Sequence, residues 1–116
     1  MSKNKELGLE GEQLAADYLK KKGFEILEMN YRHSRSEIDI ICAKEILLLF
    51  VEVKVRTNTT FGHPENFVDD KKAKNIIKGA DHYINEINWK GNIRFDIISI
   101  INKKPPDLKH FEDAFY

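Results

Sequence analysis

The sequence predicts an α/β domain of element order αβββαβ, in which helices flank one small mixed sheet. Three observations predict it. Two amphipathic stretches follow the helical period, four short runs are rich in β-branched and aromatic residues, and turn formers separate them. At 116 residues the chain is about one domain long, so residues 1–116 are expected to form a single domain. A chain of this size buries roughly two-thirds of its unfolded surface and needs no covalent staple.

The first element is a helix over Lys3 to Lys22. Leu7, Leu14, Ala15, Tyr18 and Leu19 recur at helical spacing, and Gly23 stops it after the basic run Lys20-Lys21-Lys22. Gly8 and Gly11 weaken a helix by up to ~1 kcal/mol each, so both are expected to lie against a close neighbour. Phe24 to Asn30 reads as a first strand, Glu37 to Ala43 as a second and Ile46 to Arg56 as a third. Lys44-Glu45 between the last two predicts a tight antiparallel hairpin. After a polar loop with Gly62, His63 and Pro64 shaping its rim, Asp69 or Asp70 caps a second helix reaching about Ile87. Its buried stripe is Ala73, Ile76, Ile77, Ala80, Ile84 and Ile87. Asn92 to Ile101 is a fourth strand, stopped by Pro105-Pro106, and the aromatic tail from Leu108 is expected to dock as a short strand or turn.

Composition narrows the function classes. Lys and Arg together number 19, as do Asp and Glu, so the formal net charge is zero and the chain is no blanket polycation. A local basic patch is still allowed. Mean hydropathy is −0.51, and the longest apolar run, Ile46 to Val51, is far short of the ~18–20 residues of a membrane span. No apolar stretch follows the N-terminal charges, so no signal peptide is expected and the chain reads as cytoplasmic. The single cysteine, Cys42, excludes a disulfide framework; set among isoleucines, it reads as a buried inert thiol.

The third strand carries the chemistry. Val51, Val53 and Val55 point to one side, and Glu52, Lys54 and Arg56 to the other, where Leu48 and Phe50 precede them. With Lys44-Glu45 as a two-residue turn, Asp39 faces Phe50 and Glu37 faces Glu52. Glu37, Asp39, Glu52 and Lys54 then share a face, with Asp39 and Glu52 diagonal neighbours ~7–8 Å apart at the backbone. Two carboxylates so placed repel unless a cation joins them, and Mg²⁺ or Mn²⁺ suits a site of one or two carboxylates plus a phosphate. A lysine beside them can orient water or stabilise charge in phosphodiester hydrolysis. An ordinary cross-strand ion pair on a solvated face explains Glu-x-Lys equally simply, and both readings stay open on pattern alone.

A larger constellation bears on that choice. Gly11-Glu12, Ala15 and Tyr18-Leu19, then Glu37-Ile38-Asp39, then Phe50 to Arg56, Phe61-Gly62, Lys72, Ala80, Tyr83 and Arg94-Phe95-Asp96 stand in an order that resembles the YraN-like family of small bacterial proteins. The resemblance runs from about Leu7 to Ile98 and takes in the Ala114-Phe115 tail. It implies a restriction-endonuclease-like fold and kinship with archaeal Holliday-junction resolvases. Residue by residue, Asp39 resembles the first acid of the PD-(D/E)xK nuclease pattern, Glu52 the second and Lys54 its lysine. Glu12 resembles the extra glutamate that resolvase-type members place near the metal. Ile38 stands where the motif's proline would be. Asp39, Glu52 and Glu12 are thus the implied metal ligands, with DNA, branched or damaged, as substrate and a homodimer as a further expectation.

Secondary candidates surround this set. Arg56 at the strand end, Lys72 on the second helix and Arg35 in the basic, aromatic stretch Tyr31 to Ser36 are the expected nucleic-acid contacts, each equally readable as a solvated charge. Lys71, Lys74 and Lys78 accompany Lys72 opposite the helix's apolar stripe. His33, His63, His82 and His110 show no zinc spacing and read as surface residues. Asp96 has no role that the sequence defines. The competing class is a nucleic-acid-binding or scaffold module of the same fold without turnover, and a third is a protein-interaction domain with a merely solvated charged face.

Overall fold

A computed structural model of the chain describes residues 3–57 and 68–115, with side chains from Gly8 onward in the first helix. The elements are α1 (Lys3–Lys21), β1 (Glu25–His33), β2 (Ser36–Lys44), β3 (Leu47–Arg56), α2 (Asp70–Ile87), β4 (Asn92–Ile101) and β5 (Asp107–Phe111). The strands form one five-stranded sheet in the order β1-β2-β3-β4-β5, antiparallel except for the parallel pair β3–β4. That parallel pair follows from the crossover through α2, because two strands joined by a helix must run the same way. The fold is α/β, a mixed sheet with two helices, and the tail adds its fifth strand. The reading of Gly62, His63 and Pro64 as a rim lies outside the described residues.

Each face of the sheet packs on its own helix. Ile41, Leu48, Phe50, Phe95 and Ile97 pack under Ile76, Ala80 and Tyr83 of α2. Ile40, Cys42, Leu49, Val51, Ile98 and Ile100 pack under Ala15, Ala16 and Leu19 of α1. Alternation along β3 produces this division, with odd residues toward α1 and even ones toward α2. Asp69 caps α2 through Lys72 N to Asp69 Oδ1 at 2.8 Å, and Asn88 ends the helix at φ 57°. Gly23, at φ 96°, turns the chain out of α1. Among the described residues no helix is long and apolar enough to cross a membrane.

Several expectations change in detail. Leu14 and Ile87 of the expected stripes are 41% and 38% exposed, since each lies at the rim of its helix's contact with the sheet. β1 runs on to His33, so Tyr31 is a strand residue whose ring meets Tyr83 edge-on, and only Ser34-Arg35 turns between β1 and β2. Gly11 lies against Val55, where an added Cβ would come 2.2 Å from Cγ2, whereas Gly8 has nothing within 4 Å. Only one of the two glycines therefore answers to close packing.

Candidate functional site: an acid notch between β2 and β3

The hairpin register differs from the expected one by two residues. Lys44 pairs Leu47, Ile41 pairs Phe50 and Ile40 pairs Val51, so the turn is Glu45-Ile46, with Glu45 at φ 54°. Ile46 is 66% exposed, which explains why this apolar residue is given to the turn and not to the strand. A two-residue slip preserves the faces, because side chains alternate with period two. It moves Asp39 from a diagonal to a directly opposed position: one further step in the register sets Asp39 against Glu52.

That step is not taken as a ladder pair. Ile38 packs in the α2 core and Ile40 in the α1 core, although residues two apart on a regular strand share a face. The strand therefore twists at Asp39 and parts from β3 beyond the Ile40–Val51 pair. Asp39 Oδ2 accepts the Val53 amide at 2.8 Å, so the side chain takes up a donor that the ladder has released. On the other side of β2, the flanking pairs Met29–Ile40 and Tyr31–Ile38 place Asn30 opposite Asp39, and Asn30 has φ 54°.

Three carboxyl groups converge on this notch. Asp39 and Glu52 are in side-chain hydrogen-bonding contact. Burial, that contact and the neighbouring charge of Glu52, with a smaller contribution from Glu12, push the Asp39 pKa up to about 9, against the opposing pull of the Val53 amide. Glu12 is brought in by α1, whose Gly11 permits close approach to β3. Burial raises its pKa, Asn30 opposes this by hydrogen bonding, and Glu52 adds to it. Glu12 Oε1 is buried without a hydrogen-bond partner among the described residues.

The lysine in contact with the acids is not the one that the motif singles out. Lys72 Nζ lies 2.7 Å from Glu52 Oε2, with the glutamate side chain 6% and the lysine side chain 43% exposed. The pair is ionic, without the alignment of a directed hydrogen bond. Lys72 thus leaves the solvated face on which its sister lysines were expected and reaches under the sheet from the first turn of α2. Lys54 is half-buried and pairs with Ser99 of β4 through the backbone ladder, and its side chain makes no ion pair or hydrogen bond among the described residues. Arg56 is half-buried at the end of the same charged row and does have a partner.

Glu37 does not join the acids: it pairs with Arg32 across the β1–β2 ladder, both side chains exposed. Arg35 is exposed at the β1–β2 turn. Cys42 is fully buried, and burial pushes its thiol up to about 12, in keeping with an inert core role. His110 is not a surface residue; its side chain is only 5% exposed. It was misjudged because β5 folds it back onto the α1 face, a placement that the local pattern of the tail does not encode. Asn30 and the contact of Lys72 with Glu52 were also missed. An Asn inside a strand pattern, a residue that tolerates left-handed backbone, was the one available signal.

Among the described residues no group of three or more His, Cys, Asp and Glu side chains is arranged as a ready cage for a metal ion. Mg²⁺ needs less than that, since one or two carboxylates with substrate phosphates and waters complete its shell. The touching Asp39–Glu52 pair and the orphaned buried Glu12 oxygen meet this lesser requirement in the chemistry of their donors.

Comparison with known proteins covers most of this architecture. Residues 11–100, from the glycine before Glu12 to the last residue but one of β4, match the family described as "Uncharacterised protein family UPF0102". The UPF0102 protein of Christiangramia forsetii is 43% identical over 117 residues, covering 100% of this chain and 98% of its own length. That of Phocaeicola vulgatus is 41% identical over 117 residues, covering 100% and 97%. The relative from Syntrophomonas wolfei is 42% identical over 114 residues, covering 97% and 99%. With full-length similarity at this level and a family match that takes in every acid of the notch, the chain belongs to the UPF0102 family.

Proposed function

We propose that this chain is a metal-dependent DNA endonuclease of restriction-endonuclease-like kind, hydrolysing phosphodiesters at the notch between β2 and β3. The observation that carries the reading is the contact of Asp39 and Glu52 where two strands part, a costly arrangement for the fold alone. Asp39, Glu52 and Glu12 would hold Mg²⁺ or Mn²⁺, which when bound supplies polarisation of the phosphoryl oxygen. Lys54 extends from the same edge of β3 without a competing partner among the described residues, and its role is to orient the attacking water. Lys72 neutralises Glu52 and stands ready to contact a phosphate oxygen. Branched or damaged DNA is the substrate class that the resemblance to resolvases favours.

A second reading, a DNA-binding or scaffold module without turnover, draws support from the Lys72–Glu52 pair at 2.7 Å, because a resident ammonium already supplies a cation there. One assay separates them. Four-way-junction, flap, single-stranded and plasmid DNA are incubated with Mg²⁺ or Mn²⁺ and the wild type, Asp39→Ala, Glu52→Ala or Lys54→Ala chains. The wild type is expected to cut, and each variant to lose at least about a hundredfold in rate while remaining folded. DNA binding without cutting would favour the second reading. Neither binding nor cutting would sink both.

A further inference from the structure

The β1–β2 turn and α2 enclose a pocket of about 290 Å³ lined by His33, Ser34, Arg35, Ser36, Asn75 and Lys78. Its lining contains a guanidinium, an ammonium, two hydroxyls, an amide and an imidazole, and no carboxylate. Two acids near the pocket have partners of their own, Glu37 with Arg32 and Glu86 with His82.

The turn that carries the pocket is fixed against α2. Ser36, 4% exposed, donates its hydroxyl to the Asn75 carbonyl at 2.5 Å. Gly79 lets the turn approach this closely, since a Cβ there would stand 2.8 Å from Ser36 Cβ. His33 and His82 stack with ring centroids 3.5 Å apart and planes within 6°, joining the end of β1 to the next turn of α2. Ser34, at φ 57°, sets the two-residue turn that carries Arg35. The backbone that carries Ser34, Arg35 and Lys78 is thereby fixed, with the Arg35 and Lys78 side chains exposed beside it.

Its position gives the donors a use. Ser36 and Asp39 are separated by three residues of β2, ~10 Å of strand. Lys72 and Lys78 are separated by six residues of α2, ~9 Å of helix. Both elements lead from the acid notch to the pocket over the same ~10 Å, a span that takes a nucleic-acid backbone from one phosphate to the next one or two. We propose that the Arg35–Lys78 pocket is a phosphate subsite that grips the nucleic-acid backbone one or two phosphates away from the phosphate at the notch. Arg35 supplies a planar fork matched to two phosphate oxygens, Lys78 a point charge, and Ser34 a hydroxyl donor. This deepens the nuclease reading and rests on it for the identity of the polymer, but not for any step of turnover.

The test is a binding measurement in EDTA, so that cutting plays no part. Fluorescence anisotropy with a labelled duplex compares the wild type with Arg35→Gln/Lys78→Gln, both exposed positions whose loss leaves the core intact. A second double variant, Lys20→Gln/Lys21→Gln at the end of α1, removes the same charge elsewhere. The pocket variant is expected to lose tenfold or more in affinity, and its log affinity against log salt to flatten by about one unit, the counterion release of one phosphate contact. The α1 variant should change little. Equal losses in the two variants, or no loss in the pocket variant, would overturn the proposal. A parallel titration with inorganic phosphate, followed by amide NMR at Ser34 to Ser36 and Asn75, separates the sources. Phosphate binding there, with duplex affinity indifferent to Arg35 and Lys78, would overturn the polymer subsite in favour of a free-anion site. A chain that grips duplex through this pocket yet cuts nothing in Mg²⁺ would leave the subsite standing and remove the nuclease reading.

Discussion

Asp39 concentrates the cost of the candidate site in one side chain. Its pKa of about 9 lies far above the ~3.9 of an unfolded aspartate, so folding must hold a proton there at neutral pH. The sign follows from linkage. A carboxyl raised on folding opposes stability above its unfolded value, increasingly up to about pH 9, and contributes no penalty below about pH 4. Asp39→Asn substitutes a permanent N–H donor toward Glu52 while its amide oxygen can still accept from Val53. It is therefore expected to stabilise the chain by about 1 kcal/mol or more, about 4 °C in thermal midpoint at neutral pH. An unchanged or lower midpoint would count against a strained acid pair. Lys72→Met should do the reverse. It leaves Glu52 buried without its cation and is expected to cost about 1–2 kcal/mol, because the exposed half of the lysine already spends part of the pairing in water. On the proposed reading, added Mg²⁺ should recover more of the midpoint in this variant than in the wild type.

Besides its packing through Ala15, Ala16 and Leu19, the helix α1 approaches β3 closely at Gly11. At Gly11 an added methyl would overlap Val55, whereas at Gly8 it would meet open space. Alanine therefore acts with opposite signs at the two positions. Gly8→Ala is expected to gain up to about 1 kcal/mol from helix propensity alone. Gly11→Ala has the same propensity gain but overpacks the contact, for a net loss of about 1 kcal/mol, and it also backs Glu12 away from the notch. Urea denaturation of the two variants reads both signs; a gain at Gly11 would show that α1 can shift freely. The hairpin teaches a related lesson about legibility. Alternation along β3 placed Val51, Val53 and Val55 on one face and Glu52 and Lys54 on the other, correctly. Register was misjudged by two because Ile46 looks like a strand residue and nothing local marks it as the second turn position.

Asp96 ties the molecule together. Fully buried on β4, it takes two bonds of 2.8 Å from Arg94, one of 2.6 Å from His110 Nε2 and one of 2.9 Å from the Asp113 amide. Tyr18 of α1 joins His110 Nδ1 at 2.9 Å, and Lys22 Nζ donates to the Tyr18 hydroxyl at 3.2 Å. The network thereby clamps α1, β4, β5 and the tail, whose Phe115 packs on Phe95 at 5.4 Å. Burial works to raise the Asp96 pKa, but the bonds from His110, Arg94 and the Asp113 amide outweigh it, leaving the carboxyl below its ordinary value. A carboxyl lowered on folding contributes stability above its unfolded pKa and loses it as the pH falls below about 4. Asp96→Asn is expected to be less stable at neutral pH by about 3 kcal/mol, with a flatter acid limb than the wild type in urea titrations from neutral pH to acid. An acid limb of unchanged steepness would assign acid sensitivity elsewhere. Charge is partitioned at the same level. The zero total hides acids gathered at the notch and donors gathered at the β1–β2 turn and α2.

What the sequence determined by itself is what depends on period and local chemistry. The two helices, the three-stranded run, an aspartate cap at Asp69 or Asp70, the buried Cys42 and the face shared by Glu52 and Lys54 follow from apolar spacing, from capping chemistry and from side chains alternating about the strand. Tertiary structure decided which groups actually meet. The parting of β2 from β3 at Asp39, the turn of Lys72 under the sheet to Glu52, the approach of Glu12 past Gly11 and the burial of His110 against Asp96 join residues distant in the chain. Such contacts depend on how layers twist and pack, and a periodic pattern records only which side of an element is apolar, not which charge will lie across from it.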